Sequence, residues 1–206
     1  MPGPPLILAS GSPRRRELLS AAGFAFEIDV PDVDETMQPD ESPVTATTRL
    51  AVEKAEAVAA RRATSGSEVI LAADTTVVVG DRILGKPVDV REAVEMLLSL
   101  SGRNHFVWTA WAVLAAGQTR ARTGGSSGGG PESGACRSVV RMREISRREA
   151  EAYAASGEPM DKAGAYAAQG EGRRFIGGIV GPLDNVIGLP MTPVVAALAR
   201  FGVAPR

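Results

Sequence analysis

The sequence predicts an α/β fold, and three observations lead to that prediction. The chain opens with the apolar run Leu6–Ala9, followed by a tight turn and the start of a helix. Strand and helix patterns then alternate along the 206 residues, which favours a sheet flanked by helices. A carboxylate, Asp74, directly follows a buried apolar run at 69–73, and sites in α/β sheets collect at the carboxyl ends of strands.

The first helix is predicted from its end signals. Ser12 is a good N-cap residue, and Pro13 suits the first helical position because its missing N–H has no partner there. Gly23 is a natural C-terminal stop. Residues 24–30 alternate like an edge or half-buried strand, and 31–41 form an acidic loop.

Later elements follow from the same kinds of signal. A Ser-Pro pair opens a long amphipathic helix over 42–62. Asp89 with Glu92, and Ser146 with Glu149, have the spacing of capping boxes. We expect further strands over 69–73, 105–115, 139–145 and 175–180, a hairpin joining 76–79 to 83–84, and helices over 90–100, 146–155 and 193–201.

Two glycine-rich stretches resemble binding loops but are interpreted otherwise. In 124–134, six of eleven residues are glycine, so we expect 117–138 to be a flexible insertion, with Cys136 incidental, within one domain over 1–206. The segment 80–86 fits the spacing of a P-loop. Because Pro87 follows and the inner residues look like a hairpin, we reject that reading but keep Lys86 as a phosphate ligand in another geometry.

Composition excludes several classes of site. The 23 Lys+Arg residues balance 24 Asp+Glu, which argues against a nucleic-acid surface. One cysteine and one histidine, His105, exclude an internal disulfide and multi-Cys or multi-His metal sites, so a bound metal would take oxygen ligands, as Mg²⁺ or Mn²⁺ does. The chain has no apolar run of membrane-spanning length and no secretory signal, so we expect a cytoplasmic protein.

Three groups of residues suggest chemistry. Arginines at 14–16 oppose the dipole of their helix, which suggests that they serve an anionic ligand such as phosphate, or they form a surface cluster that only solvates the helix. Asp74 could hold a hard metal or act as a general base, or it could only cap a turn. The polar segment 158–170 offers Lys162 for phosphate and Gln169 for a base edge, or it is an ordinary loop; His105 is expected to be structural.

Taken in order, eight strings resemble the Maf family of nucleoside triphosphate pyrophosphatases. They span nearly the whole chain apart from the insertion, and the ordered set is far more specific than any one string. They are LILASGSPRRRELL (6–19), DVDET (32–36), EKA (53–55), AADTTV (72–77), LGKP (84–87), LSGRNH to Thr109, EPMDKAGAYAAQG (158–170) and NVIGLP (185–190).

The resemblance implies a fold, a reaction and an assembly. The fold would be inosine triphosphate pyrophosphatase-like, an elongated mixed sheet with flanking helices and two lobes around a central cleft. Members split a nucleoside triphosphate between the α and β phosphates with a divalent cation, giving the monophosphate and pyrophosphate, and they are often homodimers.

The resemblance also assigns roles to residues. Asp74 takes the place of the catalytic carboxylate, and Glu35 helps with metal or water. Arg14, Thr75 and Gln169 match the positions that mark the dTTP/UTP branch. The phosphate-binding groups fall on Ser10, Arg14, Arg15, Lys54, Lys86 and Lys162.

Three functional hypotheses follow. The leading one is hydrolysis of dTTP and UTP, with modified pyrimidine nucleotides as further substrates, to clear unwanted nucleotides. The second is a non-enzymatic, nucleotide-binding regulator of cell division and septum formation, and retention of every proposed catalytic group speaks against it. The third is the sibling branch that acts on 7-methyl-GTP, which differs in the motifs named above.

Overall fold

The computed structural model describes residues 3–38, 40–62, 67–116 and 130–206. Within these residues the strands are β1 (Leu6–Ala9), β2 (Glu27–Ile28), β3 (Val69–Val79), β4 (Arg82–Leu84), β5 (Asn104–Ala115), β6 (Glu132–Met142) and β7 (Ile176–Val180). The helices are α1 (Pro13–Ala21), α2 (Pro43–Arg61), α3 (Val90–Leu100), α4 (Arg147–Ala154), α5 (Leu183–Ile187) and α6 (Met191–Arg200). Short 3₁₀ turns occupy Glu158–Asp161, Ala163–Ala165 and Gly170–Phe175.

The described strands form one seven-stranded mixed sheet flanked by helices, as the α/β prediction required. Its order is β2-β1-β3-β5-β6-β7, with β4 paired to β3 off this path. Strand β1 runs parallel to both β2 and β3, and its pairing with β3 extends from Leu6 opposite Val69 to Ala9 opposite Ala72. Antiparallel pairs join β3 to β4 and β6 to β7.

Most of the predicted helix signals are confirmed. Ser42 accepts a hydrogen bond from the Thr45 N–H, and Ser146 with Glu149 forms a complete capping box. Ser12 is the N-cap of α1 by position, but its side chain makes no capping hydrogen bond. Gly23 follows the helix with φ +83°, a conformation that favours glycine.

The chain divides into two compact units. The first comprises residues 1–74, 109–135 and 188–206. Successive residues of its strands face opposite sides, so each side of its sheet has a separate core. Leu6, Leu8 and Leu71 belong to the core that includes residues of α1 and α6, whereas Ile7 and Ile70 belong to the core that includes one face of α2.

The second unit comprises residues 75–108 and 136–187. Within it, α3 packs against α4 and against the 3₁₀ turns at Glu158–Asp161 and Ala163–Ala165. The segment expected to be neither helix nor strand, 158–170, is therefore a series of tight turns. Among the helices of the described ranges, none is both long and apolar enough to cross a bilayer.

Several predicted boundaries are wrong. Residues 69–79 form one strand, because the extended and almost continuously buried backbone runs through 74 and 75 without a turn. The partner strand expected over 139–145 is β6, which begins at Glu132, so 132–138 are not part of a flexible insertion. Gly134 sits in that strand because a Cβ there would lie 2.9 Å from the Trp111 ring. Residues 117–129 of the predicted insertion lie outside the described residues.

The short elements were also predicted imperfectly. The edge strand expected over 24–30 is reduced to β2, two residues long. Helix α5 was not predicted, since five residues are too few for a helical period to show. Helix α6 begins at Met191, two residues before its predicted start, because the proline at 193 fits within a first helical turn.

Candidate active site

Asp74 owes its position to the register of the parallel strands. The pairing of β1 with β3 ends at Ala72, and Asp74 lies two residues farther along β3 on the same face. The strand that ends beside Asp74 is thus β1, and the prediction that β3 itself ends there is wrong. Asp74 as a whole residue is 8% exposed, which is low for a charged residue, so its carboxylate requires a partner.

That partner is Lys54, which α2 presents on its buried face together with Ala51, Ala55 and Val58. The Lys54 ammonium donates to Asp74 Oδ1 at 2.6 Å. It lies equally close, at 2.6 Å, to Glu35 Oε1. The side chains of Lys54 and Asp74 are about one-tenth exposed, whereas that of Glu35 is 48% exposed. One buried cation therefore bridges two carboxylates that are 39 residues apart in sequence.

Arg15 of α1 adds a second cation close to this cluster. Its Nη1 donates to Ser10 Oγ at 3.1 Å, and its Nε donates to the Gly188 carbonyl at 2.9 Å. Desolvation lowers the pKa of the Arg15 guanidinium, and the negative charge of Asp74 opposes that shift. The Ser10 hydroxyl oxygen also accepts the Ser12 N–H at 3.2 Å, which ties the β1–α1 turn together.

Five of the predicted site residues thus meet in the first unit: Ser10, Arg15, Glu35, Lys54 and Asp74. Arg14 lies in the same helical turn as Arg15, half-buried, and its charge contributes to the lowered pKa of Arg15. The cluster therefore places two carboxylates among three cations. It suits a ligand that is strongly anionic and arrives with a positive ion of its own.

The remaining predicted residues belong to the second unit. Thr75 follows Asp74 in β3 and is half-buried, and Lys86 is exposed after β4. Lys162 contacts Asp161 Oδ1 at 2.5 Å and the Glu158 carbonyl, and Gln169 is exposed just before the last 3₁₀ turn. The Gly164 N–H donates to the Gly85 carbonyl at 3.0 Å, which joins the segment carrying Lys162 to the one carrying Lys86.

Buried tyrosines fasten the segment between Lys162 and Gln169. The Tyr166 hydroxyl lies 2.7 Å from His105 Nε2, and the Tyr153 hydroxyl accepts the Ala167 N–H at 3.1 Å. His105 is 1% exposed and anchors this loop, in keeping with its expected structural role. Both tyrosines of the chain are used in this way.

Two residues were missed from the sequence: one that positions the site, and one buried polar residue that ties elements of the second unit together. Arg49 of α2 binds both oxygens of Glu41, at 2.7 and 2.8 Å, and donates to the Thr36 carbonyl at 3.2 Å, so it holds the loop that carries Glu35. Asn185 is fully buried and donates to the Val107 carbonyl and to Ser138 Oγ. In the sequence, Arg49 shows only the i,i+4 spacing of an ion pair with Glu53 along the helix. Asn185 lies in the family-like string 185–190, which by itself indicates no role for this residue.

The two carboxylates of the cluster are suitable ligands for a divalent cation. Glu35 and Asp74 each direct a carboxylate oxygen at one positive group, and hard divalent cations prefer such oxygens. Within the described residues there is no cluster of three or more acidic, histidine or cysteine side chains that could hold a metal alone. Two carboxylates fit Mg²⁺ or Mn²⁺ where phosphate oxygens and water complete the coordination, as is usual for nucleotide-bound Mg²⁺.

One strand of the parallel pair, a loop and two helices bring this mixed cluster of carboxylates and cations together, and such a cluster suits the class of nucleotide-hydrolysing enzymes. The family model described as Maf-like protein matches residues 5–201, and the chain belongs to this family.

Curated relatives extend over nearly the same length. Proteins named dTTP/UTP pyrophosphatase are 43% identical in Hahella chejuensis and 44% identical in Myxococcus xanthus. A third, from Bacillus cereus and of the same name, is 42% identical. Each match covers 96% of this chain, and 92%, 93% and 96% of the three relatives respectively.

Proposed function

We propose that this protein hydrolyses dTTP and UTP to the nucleoside monophosphate and pyrophosphate. The observation that carries the proposal is the cluster in which Lys54 bridges buried Asp74 and half-exposed Glu35, with Arg15 nearby. The names of relatives that are 42–44% identical over 96% of the chain support the choice of substrate. Clearing unwanted pyrimidine nucleotides is the cellular role that follows.

The reaction divides its tasks among groups of this chain. Asp74 orients a water molecule for attack on the α-phosphorus and takes up its proton, while the bond from that phosphorus to the bridging oxygen breaks and pyrophosphate leaves. The triphosphate is bound by Ser10, Arg14, Arg15, Lys54, Lys86 and Lys162. The positive charges of the two arginines and three lysines stabilise the negative charge that develops on its oxygens.

A divalent cation fits this scheme at Glu35 and Asp74. When bound, Mg²⁺ or Mn²⁺ neutralises phosphate charge and polarises phosphoryl oxygens. Thr75 and Gln169 supply hydrogen-bonding groups for a pyrimidine edge, and a site built to pair such groups rejects a base that leaves them unpaired. The family resemblance extends the proposal to a cytoplasmic homodimer.

Pyrophosphate release tests the reaction directly. We expect the wild type with Mg²⁺ or Mn²⁺ to release pyrophosphate from dTTP and UTP in preference to CTP, 7-methyl-GTP and purine triphosphates. Asp74→Asn keeps the shape of the side chain but removes its basicity, so kcat should fall at least about a hundredfold. Asp81→Asn is the matched control, because Asp81 lies in the exposed turn between β3 and β4 and should not affect kcat.

Either of two results would contradict the proposal. If the folded wild type releases pyrophosphate from none of the triphosphates, the result would favour the hypothesis of a non-enzymatic regulator. Preference for 7-methyl-GTP would keep the reaction but move the protein to the sibling branch.

A further inference from the structure

Lys54 occupies the place between two carboxylates that a cation would also take. Its ammonium is 2.6 Å from Glu35 Oε1 and 2.6 Å from Asp74 Oδ1. These oxygens are the strongest donors for a hard divalent ion within the cluster. A lysine and a divalent cation carry charge of the same sign, so they repel each other when both approach the same oxygens.

The residue type at position 54 adds to this argument. The chain has 23 Lys+Arg residues but only three lysines, Lys54, Lys86 and Lys162. An ammonium is a compact point charge on a flexible stem, whereas a guanidinium is a planar fork that prefers paired contacts. A compact charge can fill a position between two oxygens, and its stem can carry it to another anion.

We propose that Lys54 competes with the divalent cation for Glu35 and Asp74, and so suppresses cation binding until a triphosphate offers Lys54 another anion. This inference rests on the proposed function, since it takes the cation and the triphosphate of that reaction as the competing ion and the alternative partner. Lys54 is then a residue that couples cation binding to substrate binding, in addition to contacting phosphate.

Binding of Mn²⁺ in the absence of nucleotide tests the competition. The free Mn²⁺ signal in electron paramagnetic resonance measures the Kd directly, without any catalytic turnover. Lys54→Met removes the competing charge, and we expect the Kd to fall at least about tenfold. Lys54→Arg keeps the charge and should give no such gain.

Further variants show whether the gain arises at these carboxylates. Adding Glu35→Gln or Asp74→Asn to Lys54→Met should abolish it. Arg147→Met removes one positive charge from an exposed pair with Glu95, 3.0 Å apart, and should leave the Kd unchanged. Lys54→Gln serves as a second neutral variant if Lys54→Met does not fold. Thermal unfolding with and without Mn²⁺ gives an independent measurement, because a ligand that binds more tightly raises Tm by more.

The outcomes separate this inference from the proposed function. A neutral variant that binds Mn²⁺ no more tightly than the wild type would overturn the competition, as would a gain that survives in the double variants. A wild type that fails to hydrolyse triphosphates would overturn the proposed function instead, and the Mn²⁺ titration would still give its own answer.

Discussion

At the scale of single residues, His105 shows how burial changes the pKa of a side chain. Its imidazole is 1% exposed, Nε2 contacts the Tyr166 hydroxyl, and among the described residues no group hydrogen-bonds its Nδ1. Desolvation lowers the pKa of His105 from 6.5 to about 4. The side chain is therefore neutral at pH 7 and stays so well into the acid range.

This shift predicts a pH-dependent stability. Between pH 6.5 and 4 the unfolded chain binds a proton at position 105 that the folded chain does not, so stability falls as the pH falls through that window. From pH 7 to pH 5 the free energy of unfolding should drop by about 2 kcal/mol through this group. Urea titrations at the two pH values measure the difference.

The matched variant is His105→Gln, which cannot titrate. Because the chain has one histidine, the drop between pH 7 and 5 should shrink by about 2 kcal/mol in this variant, while any contribution from carboxylates stays the same. An equal drop in wild type and variant would show that His105 does not cause it.

At the scale of elements, α2 supports the site through two residues that lie about one and a half turns apart. Lys54 reaches the carboxylates, and Arg49 holds the loop that carries Glu35 through Glu41 and the Thr36 carbonyl. The bond to Glu41 is the main cause that raises the pKa of Arg49, so this guanidinium stays charged at any practical pH. Glu35 thus depends on a helix that lies outside its own loop.

Arg49→Met should therefore impair the site by releasing this loop. We expect kcat to fall about tenfold and the Mn²⁺ concentration needed for half-maximal pyrophosphate release to rise, because Glu35 is no longer held near Asp74. Arg61→Met is the control, since Arg61 ends the same helix and pairs with Asp29. Equal losses in the two variants would argue for a general loss of helix stability.

The turn at Ala163–Ala165 requires glycine at its centre. Gly164 has φ +71°, and a Cβ there would lie 3.0–3.2 Å from the Val77 side chain. Gly80 has φ +56°, but a Cβ added there would meet no atom within 4 Å. A substitution at Gly80 therefore meets only the cost of the left-handed backbone and no steric contact.

Comparing two alanine substitutions separates these effects. Gly80→Ala should lower the free energy of unfolding by about 1 kcal/mol, the cost of the left-handed backbone. Gly164→Ala should cost about 1–3 kcal/mol more, because the Val77 contact adds overpacking. Urea unfolding measures both free energies. Equal losses in the two variants would show that the Val77 side chain moves aside without a measurable loss of stability.

At the scale of the whole molecule, the distribution of charge is more important than its total. The net charge of −1 gives no general attraction for an anionic substrate, so attraction to a triphosphate depends on the clustered cations. The clustered cations and the carboxylate that they surround come from separate parts of the first unit: Arg15 from α1, Lys54 from α2 and Asp74 from β3. Much of that clustering could be expected only through the family resemblance, since no local pattern links the three positions.

Local signals in the sequence determined the elements of this protein well. The strand, turn and helix at 6–21, the caps at Ser42 and Ser146, and the glycine stop at Gly23 all follow from neighbouring residues, so short-range physics suffices for them. The ordered strings also led to the family without a structure.

Only the tertiary structure decided which side chains meet. Arg15 donates to the Gly188 carbonyl across 173 positions of the chain, and Lys54 bridges Glu35 and Asp74, which lie on a loop and a strand. Long-range pairing also explains why 132–138 is a strand despite its glycine-rich neighbourhood. Such contacts depend on sheet register and on packing between elements, and neither is encoded in the sequence around any one residue.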